Sequence, residues 1–260
     1  MSSLLRMALV ALILLLPARV SVAQEPVELE ARDAAALEAY RAGDLETARV
    51  LWSEVLEEGR ETLADGQRAR LCYNLGNIAA RREAWLVAAG WYTASLRLRP
   101  RDADTWSNLE LVRLEAGLEA ADRGDLQGTL ARLLGSLTPA ESRWLALLGL
   151  LPLALALAGE ALRGGGGWRL FSWGGLVLAV LLALPWLRHE LAPRGAQVLV
   201  IAEEAQRARN EPRMDGSPVG ELAPGSVHPL VDELPGWVEL ELSAGRRGWV
   251  RAGQVLGLDR

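Results

Sequence analysis

Two apolar runs, residues 144–162 (WLALLGLLPLALALAGEAL) and 168–187 (WRLFSWGGLVLAVLLALPWL), decide in which environments this chain can fold. Each is about 20 residues long, enough for an α-helix to cross a lipid hydrocarbon core. Only residues 163–167, Arg163 and four glycines, separate them. So short a connection makes the two helices antiparallel and returns both outer ends to one side of the bilayer. Trp144, Trp168, Trp173 and Trp186 lie toward the ends of the runs, where an interfacial aromatic belt is expected. Glu160 falls in the last turn of the first run beside Arg163, so pairing or snorkelling at the interface accounts for it without an ion path.

Which side the ends occupy is decided upstream. Arg6 supplies a positive flank, residues 7–16 an apolar stretch, and Ser21-Val22-Ala23 a small-residue site before Gln24, the three parts of an export signal over residues 1–23. An uncleaved anchor helix has the same consequence, that residue 24 onward lies outside the cytoplasm. Arginine counts do not decide the matter, because Arg163 and Arg169 face Arg143, Arg188 and Arg194 on the opposite flanks. The segments before residue 140 and after 190 are therefore expected on one extracytoplasmic side, with the glycine loop in the cytoplasm. The net charge of -5 lies before residue 130 and argues against a nucleic-acid surface, which needs clustered positive charge. Cys72 is the only cysteine, so no intramolecular disulfide forms; among Leu71, Leu75 and Ile78 it reads as a small core residue.

Before residue 130 the sequence repeats with a period near 34 residues. Residues 69–102 carry Asn74-Leu75-Gly76-Asn77, then Ala88, Tyr92 and Pro100. Small residues at Gly76 and Ala88 let two helix backbones approach, the Tyr92 ring fills the space beside them, and Pro100 cannot continue a helix interior. The next unit starts on schedule with Trp106 and Leu109, but Asp122 stands where its small crossing residue is due, so an irregular or capping helix is expected there. Residues 43–48 (GDLETA) with Trp52 suggest an earlier unit, with extra residues accommodated near 60–67.

The pattern resembles the tetratricopeptide repeat, with Leu75, Gly76, Ala88, Tyr92 and Pro100, then Trp106 and Leu109, at its core positions. The resemblance implies an all-α array over residues 24–130 with a concave groove that receives segments of other proteins. By register Tyr40, Arg70, Tyr73, Asn77, Asn108 and Leu111 face that groove. Asn77 and Asn108 stand at the spacing of two asparagines that hold a terminal carboxylate in some members, yet Tyr73 occupies the position of a lysine in that clamp. Carboxylate capture, partner binding of a more general kind, and service as a spacer are the three uses open to the array.

Residues 131–143 form an amphipathic connector ending in Thr138-Pro139-Ala140-Glu141, the cap, first-turn proline and third-position acid of a capping box. After the second apolar run the period changes to two, with short apolar stretches separated by Gly, Pro and Asp turns. Leu222 and Gly225 before a β run, Gly236-Trp237, a turn at Ala244-Gly245, and Gly248-Trp249-Val250 resemble a bacterial SH3-like domain over residues 195–258. That resemblance implies a small all-β barrel of five strands. The domain has only Trp237 and Trp249 where peptide-reading barrels place several aromatics, and residues 206–209 replace the usual Asn-Val-Arg, so a structural or docking barrel is expected. His228 has no cysteine or second histidine nearby, so no metal site is expected.

The order of export signal, helical repeats, two-helix hairpin and C-terminal barrel resembles the BatE family of the bacterial aerotolerance operon over nearly the whole mature chain. The resemblance implies a two-pass protein of the bacterial inner membrane, with both soluble parts in the periplasm. It would assemble there with other Bat membrane proteins, which include von Willebrand factor A-type domains, near a MoxR-type ATPase. The expected function is a non-enzymatic scaffold of an aerotolerance or envelope-stress complex, the alternative being a peptidoglycan-binding cell-wall sensor. An enzyme fits worst, since no G-x-S-x-G elbow and no clustered His or Cys is present, and the glycines at 164–167 join two apolar runs where a phosphate loop would join a strand to a helix. No cofactor is expected, and the lone Cys72 gives no support to a redox role.

Overall fold

The computed structural model describes residues 24–119, 136–163, 167–191 and 195–259. The expected export segment, Asp122, residues 131–135 of the connector and the glycines at 164–166 lie outside them. Among the described residues seven helices precede an antiparallel sheet of seven strands. The chain divides into two compact units, 1–64 and 65–260.

In the first unit α1 (Gln24–Ala42) packs on α2 (Leu45–Glu58). The turn between them uses Gly43 at φ +84°, a backbone region that favours glycine, and Asp44 then caps α2 by accepting the Thr47 N–H at 3.1 Å. Ala36 and Ala48 are fully buried, and Trp52 is 1% exposed. Burial of the indole requires a partner for its N–H, and Nε1 donates to Asp33 Oδ1 at 2.8 Å.

The second unit begins with α3 (Asp65–Arg81), α4 (Trp85–Leu98) and α5 (Ala103–Glu115). A Cβ placed on Gly76 would stand 2.6 Å from Tyr92 Cε1, so the α3–α4 contact requires a bare Cα there. Ala88 and Ala89 are fully buried beside it, and the buried Ser95 hydroxyl donates across to the Ala69 carbonyl at 2.8 Å. Pro100 follows α4, and the Trp106 indole donates to its carbonyl at 2.9 Å, folding the interhelix turn back on α5.

Asp102 caps α5 by accepting the Thr105 N–H at 3.0 Å and the Thr105 hydroxyl at 2.9 Å. The Thr105 backbone N–H, and after it the Thr105 hydroxyl and the Arg99 charge, hold its carboxyl below the ordinary value of 3.8. A depressed carboxylate stabilises fully above its unfolded-state pKa and loses that stabilisation as the pH falls through the folded value. Asp102→Ala is expected to cost about 1 kcal/mol at neutral pH. Asp102→Asn should retain most of the cap while losing the part of the acid-side decline that Asp102 supplies. Urea midpoints of the full chain at pH 7 and pH 3 check both; an unchanged acid slope in the Asn variant would exclude Asp102 as its source.

The apolar runs form α6 (Pro139–Arg163) and α7 (Gly167–Leu191), packed against each other. Their windows Ala140–Gly159 and Leu170–Leu187 are long and apolar enough to cross a membrane, and only 17% of each is buried, so most of the leucine-rich surface faces outward. The helices extend past the expected 144–162 and 168–187 because a capping box starts the first and an ion pair joins their outer ends. Thr138 and Glu141 bond reciprocally, Thr138 N–H to Glu141 Oε2 at 2.9 Å and Glu141 N–H to Thr138 Oγ1 at 3.2 Å. The same carboxylate takes a fork from Arg101 at 3.0 and 2.9 Å, fixing the turn after α4 to the base of the hairpin. Arg143 and Glu190 approach to 3.9 Å, as antiparallel helices with adjacent outer ends require.

The sheet comprises β1 (Gln197–Val200), β2 (Gln206–Arg209), β3 (Pro218–Leu222), β4 (Val227–Leu234), β5 (Trp237–Glu241), β6 (Arg247–Arg251) and β7 (Val255–Gly257). This is two strands more than the sequence suggests, because β2 (QRAR) has one small apolar residue among polar ones and β7 is three residues long. The order is β3-β2-β6-β5-β4-β1-β7. Val198 and Val200 of β1 share one core with Leu222 of β3, five strands away in that order, and a flat sheet with strands about 4.8 Å apart could not bring them together. The sheet therefore rolls up around this core. Pro235-Gly236 turns β4 into β5, with Gly236 at φ +78°.

Candidate partner-binding groove

Arg70, Tyr73 and Asn77 lie at intervals of three and four on α3, and Asn108 and Leu111 three apart on α5, so each set occupies one helix face. Helix α4 brings the two faces together. The Asn108 amide nitrogen lies 3.2 Å from the Tyr73 hydroxyl and 3.4 Å from Asn77 Oδ1, linking α5 to α3. From α4 the Tyr92 hydroxyl donates to the same Asn77 oxygen at 2.7 Å, and its ring tilts on Tyr73 with centroids 5.8 Å apart.

Tyr92 is thus more than the packing wedge assigned to it from sequence. Its ring is 2% exposed while its hydroxyl joins the Tyr73–Asn77–Asn108 hydrogen-bond cluster. The only sequence signal for this is the general requirement that a buried tyrosine hydroxyl find a partner. Among the described residues the Asn77 amide nitrogen and the Asn108 carbonyl oxygen take no intramolecular partner, leaving one donor and one acceptor offered by neighbouring helices. Tyr73 and Asn77 are half-buried, Arg70 is exposed, and Leu111, 55% exposed, adds apolar surface next to Asn108. Tyr40 belongs to the first unit, where its ring packs on Trp52 at 5.6 Å between centroids.

The predicted core positions lie inside: Leu75, Ala88, Tyr92 and Leu109 are buried, and Trp106 is half-buried over Pro100. Cys72 is fully buried. Both ring nitrogens of His228 have partners, the Ser226 hydroxyl at 2.9 Å and the Glu241 carbonyl at 3.2 Å. Among the described residues no group of three His, Cys, Asp or Glu side chains is placed to hold a metal ion.

The sequence gives no hint that the helices and the sheet touch. A Cβ on Gly90 of α4 would stand 3.1 Å from Leu256 of β7. Arg97 of the same helix pairs with Asp259 at 2.7 Å and donates to the Gln197 side chain at 2.7 Å. Helix α4 therefore contributes to both sides: its Tyr92 orders the Asn77–Asn108 cluster and its Gly90 and Arg97 seat the sheet.

No protein-family model matches the chain, and no curated protein matches it.

Proposed function

We propose that the chain is a non-enzymatic, membrane-anchored scaffold whose helical groove holds an extended segment of a partner protein. The observation that carries this reading is the pair of unmet amide groups on Asn77 and Asn108, fixed by Tyr73 and Tyr92 beside the exposed Leu111. A peptide unit presents one C=O and one N–H, the complement of that donor and acceptor. Of the uses open to the array, carboxylate capture is disfavoured, since the Tyr73 hydroxyl already accepts from Asn108 where the clamp has a lysine.

The helices at residues 24–119 are read as tetratricopeptide-type repeats and the rolled sheet as a bacterial SH3-like domain. The two apolar helices are read as a two-pass anchor in a bacterial inner membrane, with both soluble parts in the periplasm. Support for the repeat reading is the close Gly76–Tyr92 contact with Ala88 buried beside it. The domain order supports membership of the BatE family, with von Willebrand factor A-type membrane proteins as partners in an aerotolerance or envelope-stress complex. A peptidoglycan-binding sensor is the second reading, resting on the SH3-like resemblance alone.

A photo-crosslinking amino acid at Leu111 in native membranes tests the groove. The expected product is a crosslink to a membrane-anchored von Willebrand factor A-type protein, reduced at least fivefold by Asn77→Ala. Crosslinking from the exposed Arg81 but not from Leu111 would move the partner surface off the groove. Co-sedimentation of the full chain in detergent with purified sacculi would favour the sensor.

A further inference from the structure

The outer face of the sheet carries a cleft that the groove reading leaves unused. Val238, Leu240 and Val250 enter the core, so by strand alternation Trp237, Trp249 and Arg251 stand on the opposite face. There a cavity of about 390 Å³ is walled by Arg207, Arg209, Arg251, Trp237 and Met214, with Glu204 the only acid among the described residues on its lining. Strands β2 and β6 are antiparallel and pair at Arg209 and Trp249, and Arg207 of β2 and Arg251 of β6 line the same cavity. Like charges that line one cleft repel each other. Neither guanidinium makes an ion pair among the described residues, not even Arg207 with Glu221, its neighbour on β3. The repulsion is thus left standing in the folded chain, and Arg251 is held in place over the Trp237 ring, 4.6 Å from its centroid.

We infer that this cleft binds a carboxylate of an acidic peptide segment, which Arg207 and Arg251 take in charge-assisted hydrogen bonds. The inference deepens the scaffold reading, on which it rests, by giving the chemistry of a second partner segment. A lipid phosphate meets the same guanidinium groups but leaves the rest of the cleft unused. Gln254 donates its amide to Gln206, and Gln206 donates to the Glu204 carbonyl, which leaves Gln254 Oε1 as an acceptor for a backbone N–H. Met214, 61% exposed, offers an apolar wall to the side-chain methylenes of the acid.

The test uses the full chain in phosphatidylcholine nanodiscs and the fluorescence anisotropy of labelled hexaglutamate, with hexaglutamine as control. The chain carries a net charge of -5, so its overall field works against the acidic probe and binding reports a local site. Hexaglutamate is expected to bind at least tenfold more tightly than hexaglutamine. The double variant Arg207→Gln, Arg251→Gln should abolish the difference while its thermal midpoint stays level or rises, because a repulsive pair has gone. Equal affinity for the two peptides, or an unchanged preference in the double variant, overturns the proposal. So does a result in which hexaglutamate fails to bind while short-chain phosphatidylglycerol changes tryptophan fluorescence in the parent but not in the double variant. These substitutions leave the groove intact, so lost Leu111 crosslinking bears on the scaffold reading and lost hexaglutamate binding on the cleft alone.

Discussion

Tyr92→Ala is expected to cost about 3–5 kcal/mol, the range for removing a large ring from a packed core. The side chain is 2% exposed and fills the space that bare Gly76 leaves between α3 and α4. Its loss opens a cavity that two helix backbones, already separated by a residue without a Cβ, cannot close by small shifts. Asn77 Oδ1 loses its shortest hydrogen bond in the same step. Tyr92→Phe separates the two effects, since the ring stays and about 1 kcal/mol is lost with the hydroxyl. Urea unfolding of the full chain in detergent, followed by circular dichroism, gives both values. The Phe variant should also weaken the Leu111 crosslink, because Asn77 is no longer fixed. An alanine variant with a parental midpoint would show that the Gly76–Tyr92 contact does not hold α3 to α4.

Gly175→Leu is expected to force the hairpin helices apart, whereas Gly174→Leu, one residue earlier, should be tolerated. A Cβ on Gly175 would lie 2.8 Å from the Leu153 Cα and 3.2 Å from the Pro152 carbonyl carbon, and backbone cannot swing aside as a side chain does. A Cβ on Gly174 meets nothing within 4 Å. Overpacking costs about 1–3 kcal/mol in ordinary cores, and contact with backbone places Gly175 at the upper end. The thermal midpoint in micelles and the electrophoretic mobility of the hairpin should change for Gly175→Leu and stay near parental for Gly174→Leu. Equal behaviour of the two variants would mean that the helices do not meet at Pro152.

These neighbouring glycines mark a limit of the sequence. Gly174 and Gly175 are adjacent glycines of one apolar run, and only the rotation of α7 about its axis distinguishes them. The turn from α3 to α4 was equally hidden: residues 82–84 contain neither Gly nor Pro, and Glu83 adopts φ 59°, a conformation its residue type does not announce. The polar cluster on α3 and α5 was more legible. Tyr73, Asn77 and Asn108 come together because helical periodicity fixes the face of each element, while Tyr92 joined them through a hydroxyl that no spacing rule reports.

By itself the sequence determined where the helical and membrane-length segments and five of the seven strands fall, since period, run length and caps are local properties of the chain. It also determined the tie-point at Thr138 and Glu141, whose spacing suffices for a capping box. Tertiary structure alone decided that Glu141 also takes the Arg101 fork, that Gly90 and Arg97 seat the sheet on α4, and that Arg207 and Arg251 line one cleft. The first three join residues 40 or more positions apart, and the last depends on how the sheet rolls up. Such juxtapositions follow from how finished elements dock, which neither composition nor periodicity encodes.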